Sequence, residues 1–275
     1  MRSGAAVVRY GFPPMVQTVP DILSRIVAAK YPALDELRPH RCQLAARASE
    51  RVGERRSFEA ALRARTPAII AEVKRASPSK GLLTNDFRPA EIAGAYQAGG
   101  AAAISVLTDE CFFRGSLSDL AAARGAVQLP VLRKDFTLDE LHVLEAAAHG
   151  ADAILLIAAI LGVRELRELR ELAARYGMAS LVEVHNEDEL EAALASGAEI
   201  VGVNNRNLHT FEVTLDTSLR LAPRIPAGLL RVSESGIHEA ADVHRLLEAG
   251  YHACLVGEHL MKSSHPEEAL RALAS

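Results

Sequence analysis

From residue 67 onward the chain repeats one pattern of apolar and polar positions. A short, nearly unbroken apolar run gives way to a polar loop. Then comes a longer segment with apolar residues three and four apart, often closed by a glycine. Short apolar runs bounded by turn residues predict buried strands, and the periodic segments predict amphipathic helices. The strand-like runs begin near Ile69, Ala102, Val131, Ala153, Leu181, Ile200, Leu230 and Ala253. Helices are expected over 89–98, 117–126, 138–149, 163–176, 187–195, 216–221, 238–249 and 266–273, with turn glycines such as Gly100, Gly150 and Gly250 between the units. Strands alternating with helices in this number predict a (β/α)8 TIM barrel. An open doubly wound sheet fits less well, because no GxGxxG follows the first strand.

The segment ahead of the barrel has no strands. Ile22, Leu23, Ile26 and Val27 stand at helical spacing after Asp21. Pro32 and Pro39 are expected to break that helix, and a second is expected over 40–53. Ser57 is a natural N-cap for a third over 58–65, which Pro67 ends. The expected organisation is a disordered extension over 1–15, an N-terminal helical extension over 16–66 packed on the barrel, and the barrel itself over 67–275 as a single domain. Met15 would serve equally well as a start.

Several strand-like runs end in charge, as in Ile70-Ala71-Glu72-Val73-Lys74, Val131-Leu132-Arg133-Lys134, Leu181-Val182-Glu183 and Val232-Ser233-Glu234. An unpaired ion at the end of a buried strand is costly, so these charges are expected to meet each other and a ligand. Side chains two apart on a strand share a face. If Ile69, Ala71 and Val73 face the outer helices, then Glu72 and Lys74 point into the barrel near its C-terminal mouth, where this fold keeps its chemistry. The same parity sends Lys134, Glu183, Asn204, Arg206 and Glu234 inward. It leaves Arg133 and Arg231 on the helix side, where they would snorkel to a rim. Any one of these charges could be a plain rim salt bridge. The whole set on one inferred face points to an enzyme.

Two further loops suit an anion. Ser233-Glu234-Ser235-Gly236 closes the seventh strand, and Val256-Gly257-Glu258 closes the eighth before a helical turn over 259–262. Glycine-rich turns and helix N-termini offer backbone N–H groups to phosphate, and these two loops are where the fold usually binds it. Glu258 fits only if its amide, and not its carboxylate, faces the ligand. Asn204-Asn205-Arg206-Asn207 reads either as turn caps or as donors, with Arg206 able to grip a carboxylate by two parallel bonds. The small polar loop 76–81 reads as a mobile lid.

Composition narrows the rest. Thirty-one basic residues against 35 acidic ones give a formal charge of −4, with no basic stripe, which argues against nucleic acid. No apolar stretch is long enough for a bilayer. Three cysteines (Cys42, Cys111, Cys254) form no disulfide framework or CxxC pair, which fits a reducing cytoplasm. His142 and His149 read as surface residues, and no His or Cys pattern suggests a metal site.

Six blocks together carry a resemblance: Ile70-Ala71-Glu72-Val73-Lys74-Arg75-Ala76-Ser77-Pro78-Ser79-Lys80-Gly81; Ser105-Val106-Leu107-Thr108-Asp109-Glu110-Cys111-Phe112-Phe113-Arg114-Gly115-Ser116; Arg133-Lys134-Asp135-Phe136; Leu181-Val182-Glu183-Val184-His185; Gly202-Val203-Asn204-Asn205-Arg206-Asn207-Leu208; and Ser233-Glu234-Ser235-Gly236-Ile237. In order and spacing they resemble the indole-3-glycerol-phosphate synthase family over roughly residues 20–273. The resemblance implies ring closure, decarboxylation and dehydration of 1-(2-carboxyphenylamino)-1-deoxyribulose 5-phosphate in tryptophan biosynthesis. It implies Lys134 as general acid, Glu183 as its acid/base partner, and Lys74 as a phosphate-binding lysine that shares the acid role. Glu72, Asn204 and Glu234 would orient these groups. Ser77 and Arg206 would hold the anthranilate carboxylate, and Phe113, Phe136, Leu155, Ile157 and Leu208 would wall the aromatic ring. Ser235, Gly236, Gly257 and Glu258 would take the phosphate. Proton transfers suffice for this chemistry, so no metal or organic cofactor is expected. The expected partner is a small phosphorylated substrate, with no nucleic acid, no membrane and a monomeric chain. The alternative is a non-catalytic barrel that binds a phospho-ligand.

Overall fold

The computed structural model describes residues 21–275, so the expected extension over 1–15 lies outside the described residues. The barrel strands are β1 (Ala68–Val73), β2 (Ala103–Leu107), β3 (Val131–Lys134), β4 (Ala153–Ile157), β5 (Ala179–Val184), β6 (Ile200–Asn204), β7 (Leu230–Glu234) and β8 (Ala253–Val256). Each pairs in parallel with its neighbours in sequence, and β1 pairs with β8 through Ala68–Ala253 to Ala71–Val256, closing the barrel. The helices are α1 (Asp21–Leu37), α2 (Arg41–Glu50), α3 (Phe58–Arg63), α4 (Pro89–Gly99), α5 (Glu110–Phe113), α6 (Leu117–Ala126), α7 (Glu140–Ala148), α8 (Val163–Arg175), α9 (Glu187–Ala195), α10 (Asp216–Leu221), α11 (Ala240–Glu248), α12 (Glu258–Lys262) and α13 (Pro266–Leu273). The loop after β1 carries a two-residue antiparallel ladder, Ala76–Ser77 against Gly81–Leu82. Among the described residues no helix is long and apolar enough to cross a membrane.

Strand parity divides the core in two. Ile69, Ala71 and Val73 pack outward into the layer between barrel and helices. Ala68 and Ile70 join an interior cluster with Leu132, Leu155, Leu181, Val232 and Leu255. Phe58 and Leu62 of α3 complete that interior cluster among residues from the strand starts, so α3 closes the N-terminal end of the barrel. Ser57 caps α3 as expected, accepting the Ala60 N–H at 3.1 Å. Above the apolar layers the inward residues turn polar. In register, Glu72 lies beside Ser105, Lys134 beside Leu107, Glu183 beside Gly202, and Asn204 beside Glu234.

Three expectations need correction. Helix α1 runs through Pro32 to Leu37. An interior proline costs roughly 3 kcal/mol. Here Leu23, Ile26 and Val27 before it and Leu34 after it are all buried, each worth about 1.5–3 kcal/mol, so packing outweighs the lost hydrogen bond. Arg133 does not snorkel. It is buried, 2.7 Å from Glu145 and 3.1 Å from Asp135, and donates to the Thr108 hydroxyl. His142 is likewise buried, accepting the Leu138 N–H at Nδ1. Burial, and then Arg133, push its pKa down to about 3, so the ring is neutral.

Candidate active site

The strand ends converge on a cleft of about 520 Å³ at the C-terminal mouth. All the site residues singled out from the sequence line it. On its floor the Lys134 ammonium lies 2.9 Å from Glu183 Oε2 and 3.2 Å from Glu234 Oε2. Lys74 lies 2.5 Å from Glu72 beside them. Glu72, Glu183 and Glu234 are nearly inaccessible.

Burial and pairing compete on this floor. Burial alone would discharge Lys134, but Glu183, then Glu234 and Glu72, hold its pKa above the usual lysine range. Burial pushes Glu183 up as well. Lys134 and then His185 outweigh it and leave this carboxyl well below its ordinary range. For Glu234 burial wins: Lys134 pulls the other way, but the neighbouring Glu183 adds its repulsion, and the group sits above the ordinary range. Two carboxyls on one ammonium are thereby driven apart, one an anion and the other inclined to keep its proton. That is the arrangement from which acid and base roles are assigned. Glu234 Oε1 is buried and has no hydrogen-bond partner among the described residues.

Two interior glycines make room for this cluster. A Cβ at Gly202 would fall 2.3 Å from Glu234 Oε1, and one at Gly257 would fall 2.2 Å from Glu72 Oε1. Gly257, assigned from sequence to phosphate, thus also clears space for a floor carboxylate.

The walls differ in chemistry. Phe113 and Phe136 approach at 6.2 Å between centroids, with Leu155, Ile157 and Leu208 also in the lining. Helix α1 supplies Ile22, Leu23 and Ile26, a contribution that sequence reading missed by treating the N-terminal helices as packing alone. Lys30 ties that helix down, 2.8 Å from Asp109 and 2.5 Å from Asp135. Asp109 caps α5, the helix bearing Phe113, and Asp135 accepts the Phe136 N–H.

At the polar wall Asn204 accepts from the Ser235 hydroxyl at 2.9 Å and from the Arg206 N–H at 3.1 Å. Asn205 and Asn207 take the turn-capping role, the first bridging Ser233, Ser235 and Ser218. Arg206 has one long bond, 3.4 Å, to the Phe211 carbonyl of its own loop. At the far end Ser235 (φ 68°) and Gly236 (φ 77°) are left-handed in succession, and the first helical N–H groups follow Gly257 in α12. Lys262 (2.6 Å) and Lys80 (3.7 Å) draw the Glu258 carboxylate, leaving its amide for an anion. His238 and His259, unremarked in sequence, stack edge-to-face beside this end.

A family model for indole-3-glycerol phosphate synthase matches residues 23–273. The chain belongs to that family. It is 52% identical over 258 residues to the indole-3-glycerol phosphate synthase of Chromobacterium violaceum, covering 92% of this chain and 97% of that one. The Leptothrix cholodnii protein of the same name is 51% identical, covering 92% and 98%. Family membership makes this barrel a lyase. Among solved structures, a thiamine phosphate pyrophosphorylase from Pyrococcus furiosus superposes with a TM-score of 0.57 at 16% identity, covering 75% of this chain and 93% of that one. That likeness speaks for the barrel fold alone.

Proposed function

We propose that the chain converts 1-(2-carboxyphenylamino)-1-deoxyribulose 5-phosphate into indole-3-glycerol phosphate, with Lys134 as general acid and Glu183 as proton acceptor. The buried Lys134 ammonium bracketed by two unlike carboxyls carries this reading. The substrate's phosphate lies against Ser235, Gly236 and the amides after Gly257, with Lys74 nearby. Its anthranilate carboxylate faces Arg206 and Ser77, and its ring sits between Phe113 and Phe136.

Lys134 then gives its proton to the ribulose C2 oxygen as the ring carbon bearing the carboxylate attacks that carbonyl carbon. Carbon dioxide leaves with its bond's electrons returning to the ring. Lys134, recharged by a proton from solvent, or Lys74 in its place, protonates the resulting hydroxyl, which departs as water. Glu183 takes the proton released from the adjacent carbon as the pyrrole double bond forms. Glu72, Asn204 and Glu234 hold these groups and the sugar hydroxyls. The side chains contribute proton transfers and fixed charge to these bond changes, and the groups for them are on the floor.

The formal charge of −4 with no basic stripe supports a chain that acts without nucleic acid. The odd, unpaired cysteines support a cytoplasmic setting. The deciding experiment follows indole fluorescence from purified protein and substrate. Lys134→Ala is expected to lose about 10²–10⁴ in kcat, the usual worth of a positioned acid, while product binding stays within a few fold. Near-normal turnover in that variant removes Lys134 as the acid. No turnover in the parent leaves the binding-only barrel.

A further inference from the structure

Glu183 has a neighbour that the scheme above leaves unused. His185 follows it by two positions, and alternation sends both to the same side of the chain. The imidazole is only 11% exposed. Its Nδ1 lies 2.9 Å from Glu189 Oε2, and its Nε2 lies 3.5 Å from Glu183 Oε1. That Nε2 is buried and has no hydrogen-bond partner among the described residues. Lys134 takes the other oxygen of Glu183, Oε2.

Glu189 is itself held firmly. Its Oε2 also accepts the His185 backbone N–H at 2.8 Å, and its Oε1 accepts from the Asn186 amide at 2.8 Å. Asn186 in return caps α9 by accepting the Glu189 N–H at 2.9 Å. The ring is therefore fixed between one anchored carboxylate and one on the active-site floor.

The chemistry of the ring narrows its state. A neutral imidazole donating Nδ1–H to Glu189 would turn a lone pair on an ionised Glu183, and only an imidazolium offers N–H to both. The ionisable groups facing it are Glu183 on β5, Glu189 on α9 and Glu234 on β7, with Lys134 of β3 beyond Glu183. Burial opposes the charge on the ring, but Glu189, then Glu183 and Glu234, outweigh it and raise its pKa above the ordinary histidine value.

Building on Glu183 as the proton acceptor, we propose that His185, oriented by Glu189, is a positioning residue that keeps the buried Glu183 ionised and turned toward Lys134. The chain Glu189–His185–Glu183–Lys134 then alternates anion and cation from the start of α9 to the floor of the cleft.

The test compares pH profiles of kcat/KM for the parent, His185→Gln and Glu189→Gln, where the substrate's own titrations cancel. Removing the cation should move the acid limb of His185→Gln up by about one pH unit, a roughly tenfold loss at the acid end. KM near pH 8 and the melting temperature should change little. Glu189→Gln should shift the limb the same way by less, and it carries the test alone if His185→Gln does not fold. An unmoved acid limb in the folded variants overturns the proposal. So does a loss equal at every pH with a lowered melting temperature, the mark of packing alone. Failure of the underlying assignment is separable: Glu183→Gln with parental turnover removes the proton acceptor whatever His185 does.

Discussion

Gly202 has no side chain, and a carboxyl oxygen of Glu234 fills the space where one would go. Gly202→Ala must push Glu234 off Lys134 or move β6. Either is overpacking in a filled interior, costing about 1–3 kcal/mol. Chemical denaturation should read that loss, and kcat should fall with it. Gly228→Ala is the control: a Cβ there has nothing within 4 Å, and its effect should stay within about ±0.5 kcal/mol with kcat intact. At this scale the charged members of the site were legible, because a strand-end charge and a parity of two suffice to place Lys134, Glu183 and Glu234. Gly202 was not, since a glycine inside a strand announces no partner. His185 could have been found by continuing the parity from Glu183 by one step. It was hidden by being sought among metal ligands.

Helix α1, whose Ile22, Leu23 and Ile26 line the cleft, is tied to the site by an ion cluster. Lys30 reaches Asp109 and Asp135, and Asp135 also serves Arg133 and the Thr108 hydroxyl, the latter at 2.6 Å. Burial opposes the charge on Asp135, but Arg133 and Lys30 overcome it and hold its pKa far below the usual aspartate range. The folded protein thus binds fewer protons here than the unfolded chain. The stabilisation is complete above an ordinary aspartate pKa of about 3.9 and drains away as pH falls toward the depressed value. Asp135→Asn should cost about 3 kcal/mol near pH 7, with Lys30 and Arg133 each keeping one other carboxylate, Asp109 and Glu145. Its deficit relative to the parent should shrink below about pH 4, measured as urea midpoints across pH. Element order, the Ser57 cap and the eight strands were legible because period and punctuation agreed along the barrel. The passage of α1 through Pro32 was not, because what sustains it is packing against Leu44, Leu141 and Leu144, far along the chain.

Across the whole molecule the two ends of the barrel do different work. The mouth gathers charge, while the opposite end is sealed by Phe58 and Leu62 of α3. Phe58→Ala should therefore cost about 3–5 kcal/mol in denaturant stability and leave kcat close to parental at temperatures where the variant is folded. A matching collapse of kcat would mean that the ends communicate. The seam between β1 and β8 has a further consequence. Glu72 sits against Gly257 there, so the phosphate end of the cleft needs the first and last strands of the barrel together with the loop after β7. A growing chain on the ribosome therefore lacks the complete site until its last strand has been made. Competence waits for the closing strand to find its mate.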